Sequence, residues 1–92
     1  MNEKTLERKL VERVKRLGGL ALKFFSATFT GMPDRIVLMP GGRVYFAEIK
    51  TTGKKPTARQ AFVHRLLRQL GFEVWVIDTN ELLDEFTERI AA

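Results

Sequence analysis

Residues 34–50 read DRIVLMPGGRVYFAEIK, and this stretch predicts the centre of the fold. Two apolar runs, Ile36–Met39 and Arg43–Ile49, are separated by Pro40-Gly41-Gly42, which is typical of a β-hairpin. If the loop has three residues and is centred on Gly41, the numbers of paired residues sum to 82. A loop one residue longer or shorter would shift every pair, so the predictions that follow depend on this register.

The predicted register places two carboxylates opposite each other. Asp34 would face Glu48, with Cβ atoms roughly 5 Å apart, and opposed like charges are unfavourable in a sheet. A divalent cation bound by both side chains would remove that repulsion, and oxygen ligands suit Mg²⁺ or Mn²⁺. Because side chains alternate along a strand, Lys50 shares the face of Glu48. The alternative is that Asp34 is a turn residue after Pro33 and that Glu48 and Lys50 form a surface ion pair.

The hydrophobic pattern on either side of the hairpin predicts the remaining elements. Helices are expected at Thr5–Leu17, Ala58–Leu70 and Thr79–Ile90, and further strands at Leu20–Phe25 and Val74–Ile77. The order α-β-β-β-α-β-α predicts an α/β fold with a mixed sheet, as a single domain over residues 1–92. In the loop before Asp34, Phe29 and Met32 either cap the core or form a surface for a substrate or a second subunit.

The first predicted helix carries an acidic residue on its apolar side. Glu7 lies within the stripe formed by Leu6, Leu10, Val14 and Leu17. A carboxylate in such a position is costly unless it is paired, hydrogen-bonded or bound to a metal. The alternative is that Glu7 tips outward at the edge of the stripe. Glu3 falls in the same sector, nearer the start of the helix.

The second predicted helix begins with a capping motif. Thr57-x-x-Gln60 matches a capping box, in which the Gln60 side chain reaches back to the first turn. A role for Gln60 in a site would require its side chain to face the hairpin carboxylates. His64 lies at the edge of the apolar stripe and is expected to be a half-exposed packing residue.

Composition limits the possible chemistry. The 92 residues include no cysteine, which excludes disulfides, thiolate metal sites and a cysteine nucleophile. No apolar run approaches the roughly 20 residues of a membrane span, and a cytoplasmic protein without a membrane partner is expected. The net charge of +5 is unevenly spread, since residues 43–68 hold seven basic residues and one acidic residue. Such a segment indicates a polyanionic partner such as nucleic acid.

The ordered motifs resemble those of a known family. Gly31-Met32-Pro33-Asp34-Arg35, the hairpin and Glu48-Ile49-Lys50 resemble the signature of the PD-(D/E)XK nuclease superfamily. Gly18-Gly19 before the first strand, Gln60 in the second helix and Gly71 before the last strand extend the likeness. Over about residues 3–80 the chain resembles the VRR-NUC family, the virus-type replication-repair nuclease domains.

The resemblance implies a restriction-endonuclease-like core and a metal-dependent DNA endonuclease. By position, Asp34, Glu48 and the backbone carbonyl of Ile49 resemble the metal ligands. Lys50 resembles the lysine that positions or activates the attacking water, and Gln60 the glutamine that supports it. Glu7 resembles the helix glutamate that completes the acidic site, with Glu3 as the alternative.

The resemblance also implies the substrate and the assembly. Short stand-alone members look like homodimers that cut branched DNA, such as four-way (Holliday) junctions or flaps. Basic residues would then contact the DNA backbone, namely Lys54, Lys55, Arg59, Arg65 and Arg68. The main alternative is a basic DNA-binding module without catalysis, which would have no use for opposed carboxylates. A serine hydrolase is disfavoured, because no nucleophile-elbow sequence surrounds Ser26, and a toxin or immunity-type interaction protein stays open.

Overall fold

The computed structural model describes residues 2–92 and has the predicted element order. The helices are α1 (Glu3–Arg16), α2 (Ala58–Gln69) and α3 (Asn80–Ala91); the strands are β1 (Leu20–Lys23), β2 (Arg35–Met39), β3 (Arg43–Ile49) and β4 (Glu73–Ile77). The predicted α/β class is therefore confirmed. Within residues 2–92, no helix has the length and apolar character needed to cross a membrane.

The four strands form one mixed sheet in the order β1-β2-β3-β4. β1, β2 and β3 are antiparallel neighbours, whereas β4 runs parallel to β3 and is reached through α2. Arg35 pairs with Ala47 and Met39 with Arg43, so the predicted hairpin register is confirmed. The tight loop depends on Gly41 and Gly42, whose φ angles of 83° and 76° are accessible to glycine at little cost.

The helices cover the two faces of the sheet unequally. α1 and α3 pack on one face and bury Tyr45, Ala47 and Ile49 of β3. α2 packs on the other face, where Val63 and Leu67 contact a cluster that includes Phe46 and Val74. The alternation along β3 therefore directs Glu48 toward α2, as the strand pattern predicts.

Part of the face beneath α2 stays uncovered. On β1 and β2, the exposed fractions are 58% for Leu20, 46% for Leu22 and 37% for Leu38. Leu20 is the cross-strand partner of Leu38, so these side chains lie side by side. We call Leu20, Leu22 and Leu38 the uncovered half-sheet.

Two element boundaries differ from the prediction by two residues, and the others differ by at most one. β1 ends at Lys23 instead of Phe25. Phe24 N still donates to Asp34 O (2.8 Å), but the preceding residue of the paired segment, Pro33, has no N–H with which to continue the ladder. α1 begins at Glu3, two residues earlier than predicted, because Asn2 Oδ1 accepts a hydrogen bond from Thr5 N (2.8 Å).

Candidate active site

Glu48 lies at the centre of the candidate site. Its side chain is only 1% exposed, and the carboxyl group has Gln60, His64, Lys50 and Asp34 around it. Gln60 Nε2 donates to Glu48 Oε2 (3.3 Å), His64 Nε2 lies 3.3 Å from Oε1, and Lys50 Nζ lies 4.0 Å from Oε2. A buried carboxylate needs such partners, because burial without them would cost several kcal/mol.

Asp34 is the second carboxylate of the site. It directly precedes β2, one position beyond the Arg35–Ala47 pair, and its Oδ2 accepts a hydrogen bond from Ile49 N (3.1 Å). Burial, together with the hydrogen bond and the negative charge of Asp34, raises the pKa of Glu48 to about 8. Glu48 therefore retains a proton at neutral pH, as expected for a buried acid beside a second carboxylate.

The position of Asp34 depends on the loop that precedes it. Gly31 has a φ of 92°, and a Cβ there would lie 2.9 Å from Arg59 Cγ and 3.0 Å from Val63 Cγ2. Only glycine lets the loop approach α2 this closely. Pro33 is fully buried two residues later, so both residues fix the chain that delivers Asp34.

Gln60 both caps α2 and faces a carboxylate of the hairpin. Its Oε1 accepts a hydrogen bond from Thr57 N (2.9 Å), and Thr57 Oγ1 accepts one from Gln60 N (3.1 Å), which completes the capping box. The other end of the same amide contacts Glu48.

The expectation of a half-exposed His64 is wrong. The residue is 2% exposed and faces Glu48, because α2 packs closely over this part of β3. Burial, with the nearby charges of Arg68 and Lys50, lowers the pKa of His64, so the ring is neutral at pH 7. A usable signal was present in the sequence, since His64 lies four residues after Gln60 and residues four apart in a helix share a face.

The two glutamates of α1 lie near Asp34, and the charge of Glu3 contributes to the raised pKa of Glu48. Glu7 Oε2 accepts a hydrogen bond from Arg35 Nη2 (2.9 Å), and Glu3 Oε1 accepts one from Thr51 N (3.2 Å). Both line a cleft of about 360 Å³ together with Asp34, Lys23, Phe24 and Phe25, which we call the acidic cleft. Glu7 therefore has a partner on β2. Glu7 and Glu3, the two candidates for the helix glutamate of the acidic site, border the same space.

The donor set fits a hard divalent cation. Within residues 2–92 no three His, Asp or Glu side chains converge on one point, so Asp34 and Glu48 form a pair of carboxylates. Carboxylate oxygen suits Mg²⁺ or Mn²⁺, which commonly use one or two protein carboxylates and keep several waters. The raised pKa of Glu48 reflects crowded negative charge, which a cation would relieve.

All five predicted DNA-binding residues are exposed: Lys54, Lys55, Arg59, Arg65 and Arg68. Two of them also donate hydrogen bonds within the protein. Arg68 Nη2 donates to Val74 O (2.7 Å), and Arg59 Nε donates to Thr30 O (3.0 Å).

The two apolar residues of the loop before Asp34 have different environments. Met32 is half-buried and packs against the α2 cluster, so it caps the core. Phe29 is 41% exposed, and the Arg59 guanidinium lies 5.0 Å from the centre of its ring. Phe29 therefore remains available as a surface for a partner or a substrate.

Comparison with known proteins identifies nucleases. No family model matches the chain. A protein of Acyrthosiphon pisum secondary endosymbiont phage 1, named "Putative nuclease p44", is 42% identical over 82 residues, covering 89% of this chain and 88% of the relative. A solved structure described as a "VRR_NUC domain" is 31% identical, with a TM-score of 0.88 over 94% of both chains. The likeness extends over the whole fold and is not limited to the motifs.

Proposed function

The chain belongs to the VRR-NUC family of nucleases, and we propose that it hydrolyses phosphodiester bonds of branched DNA with Mg²⁺ or Mn²⁺. The observation that carries this proposal is the Asp34–Glu48 pair beside Lys50. A basic DNA-binding module without catalysis would gain nothing from two crowded carboxylates, whose repulsion destabilises the fold.

Asp34 and Glu48 would hold the metal ion, with the backbone carbonyl of Ile49 as a further ligand. Glu7 would complete the acidic site from across the acidic cleft, and Glu3 borders the same space. When bound, such an ion lowers the pKa of a bound water and neutralises charge on the phosphate oxygens.

Lys50 and the α2 residues perform the remaining tasks. The ammonium of Lys50 lies beside Glu48, with 16% of the side chain exposed, and would donate a hydrogen bond to the attacking water or the phosphate. Gln60 and His64 hold the Glu48 carboxylate in one orientation. The water oxygen bonds to phosphorus and one ester P–O bond breaks. One product end carries a phosphate and the other a hydroxyl that has received a proton.

The exposed basic residues would set affinity but not sequence preference. Within residues 2–92, Lys54, Lys55 and Arg65 form no ion pair with an acidic side chain. Contacts of such side chains with phosphates carry no base information. Recognition would therefore rest on the shape of the DNA, which favours a four-way junction or a flap.

The uncovered half-sheet supports a homodimer. A second apolar stripe runs along α2 to the residue that follows it, where Phe62, Leu66 and Leu70 recur at every fourth position, with Leu70 73% exposed. Contiguous apolar surfaces of this kind are unusual on a monomer. A twofold dimer would bury the same patch on both subunits and place two active sites on one junction.

A cleavage assay tests the proposal. Four-way junction, flap, splayed-arm and linear duplex DNA are incubated with Mg²⁺, Mn²⁺ or EDTA, and Asp34→Asn serves as the matched inactive variant. We expect metal-dependent cuts in branched DNA that the variant does not make. Binding without cleavage under every condition would overturn the catalytic proposal, and equal cutting of linear duplex would overturn the preference for branched DNA.

A further inference from the structure

The segment after β1 presents an unusual concentration of aromatic surface. The exposed fractions are 36% for Phe24, 85% for Phe25 and 41% for Phe29. Large aromatic side chains are normally well buried, so three of them within six residues indicate a binding surface.

These rings line a small pocket at the active site. The pocket has a volume of about 180 Å³, and its walls include Phe24, Phe25, Phe29, Met32 and Asp34. We call it the aromatic pocket. Drug-sized ligands occupy pockets of roughly 300–1,000 Å³, so this space suits a single planar ring system.

The aromatic pocket and the acidic cleft share a wall. Phe24, Phe25 and Asp34 line both spaces, so a ligand that reaches from one to the other passes Asp34. One side of this boundary is acidic and suits a metal-bound phosphate, whereas the other is apolar and flat. A nucleotide has the same two parts, a charged phosphate and an aromatic base, at adjacent positions.

We propose that the aromatic pocket receives an unpaired base of the DNA strand that is cut, next to the phosphate at Asp34. The proposal rests on the proposed nuclease function and specifies its substrate: DNA with an unpaired nucleotide beside the cleaved bond. A base within a duplex is stacked on both sides, so it must leave the stack to enter the pocket.

The chemistry of the walls fits any of the four bases. Stacking on phenylalanine tolerates every base, because each one has a π-face. Arg59 lies over the Phe29 ring at 5.0 Å and over the Phe62 ring at 5.4 Å, so it adds a cation beside the pocket without closing it. Selection would therefore depend on whether a base is unpaired, and not on its identity.

The test compares two duplexes that differ by one base. Each carries a single-nucleotide bulge, and in one of them the bulged residue is abasic. Affinity is measured in EDTA by fluorescence anisotropy, and kcat/KM in Mg²⁺. We expect the wild type to prefer the duplex with the base by roughly 5- to 150-fold, the range that corresponds to stacking of one base.

Three variants assign this preference to the pocket. Phe25→Ala is expected to reduce it to less than about twofold, and Phe25→Trp to retain it, because stacking needs only an aromatic face. Phe72→Ala is the matched control, because Phe72 is also a partly exposed phenylalanine (38%). It directly precedes β4, which runs parallel to β3, so it lies at the opposite end of the strands from the site at the last residues of β3. This variant should keep the wild-type preference.

The outcomes separate this proposal from the nuclease function. Equal affinity and equal kcat/KM for the two duplexes in the wild type would overturn the base pocket, while the cleavage itself would still support the nuclease. A change in oligomeric state in Phe25→Ala, with the preference for the base intact, would assign the rings to a subunit interface and also overturn the proposal. If the protein neither bound nor cleaved any DNA, both proposals would be overturned.

Discussion

The side-chain amide of Gln60 connects the first turn of α2 to the buried carboxylate of Glu48. Its oxygen accepts a hydrogen bond from Thr57 N at 2.9 Å, and its nitrogen donates to Glu48 Oε2 at 3.3 Å. One residue therefore both starts the helix and orients the carboxylate. Because the oxygen is already used by the capping box, the nitrogen is the end that faces Glu48, and no other orientation of the amide serves both contacts.

Gln60→Glu separates the two tasks of this residue. The substituted carboxylate can still accept the hydrogen bond from Thr57 N, but it loses the donor to Glu48 and places a second negative charge beside it. We expect little change in the helix and a fall in kcat of at least about tenfold for DNA cleavage, as for loss of a positioning contact. Thr57→Ala is the matched control. It should lower the free energy of unfolding by about 1 kcal/mol and leave kcat within about twofold. Equal losses of activity in both variants would contradict this division.

The stability of the metal-free protein should fall as the pH rises toward 9. The ordinary pKa of a glutamate is 4.5, whereas that of Glu48 is about 8, so the folded state retains a proton that the unfolded state releases. This contribution is complete below pH 4.5 and is lost as the pH rises through 8. The lowered pKa of His64 acts with the opposite sign and only below pH 6.5. Urea unfolding in EDTA at pH 6.5 and pH 9 measures the effect. Glu48→Gln should abolish most of the pH dependence, and an unchanged slope in that variant would refute the assignment.

Lys50→Ala should separate binding from chemistry. The side chain is 16% exposed and is placed toward Glu48, so few DNA phosphates can reach it. We expect nearly unchanged DNA affinity and a fall in single-turnover rate of at least about 100-fold, comparable to removal of one electrostatic donor from an active site. Lys54→Ala is the contrasting variant. It should leave the rate at saturation intact and reduce the log–log salt slope of binding by about 0.9. A fully active Lys50→Ala would remove this lysine from the mechanism.

Leu22→Glu should produce a monomer if the uncovered half-sheet is the dimer surface. Leu22 is 46% exposed on the edge strand, so the negative charge of a glutamate is tolerated there in the monomer. In the dimer that charge would be buried with no opposite charge to pair with it. Light scattering with size-exclusion chromatography gives the mass of each variant. Ala91→Glu introduces the same side chain at the exposed end of α3, on the other face of the sheet, and should remain dimeric. A dimeric Leu22→Glu would exclude this surface.

The features that are local in sequence were the most predictable. The loop Pro40–Gly42 and the alternation in β3 determine the register, so the facing positions of Asp34 and Glu48 followed from counting residues. The capping box was equally local, since it requires only Thr57 and Gln60. Such patterns act through neighbouring residues and are read directly from the chain.

The features that depend on packing between distant elements were not predictable. His64 is buried because α2 lies across β3. The helical pattern of the sequence predicts only that His64 lies at the edge of the apolar stripe. The partner of Glu7 is Arg35, on a strand 28 residues away, and no periodicity indicates that contact. The acidic cleft and the aromatic pocket share Asp34 for the same reason, since they form where α1, β1 and the following loop meet.

The placement of α2 and α3 on opposite faces of the sheet also affects how the protein approaches DNA. Residues 78–92 hold five acidic residues and one basic residue, and Asp84 is already paired with Arg13 of α1 at 2.6 Å. The charges of the α1–α3 layer therefore nearly cancel, and the excess of positive charge lies in residues 43–68, around α2 and the active site. The molecule thus has an electric dipole across its sheet. Under the proposed function, this dipole would turn the face of the candidate site toward a DNA helix before contact, so encounters in a productive orientation would be more frequent than random collision gives.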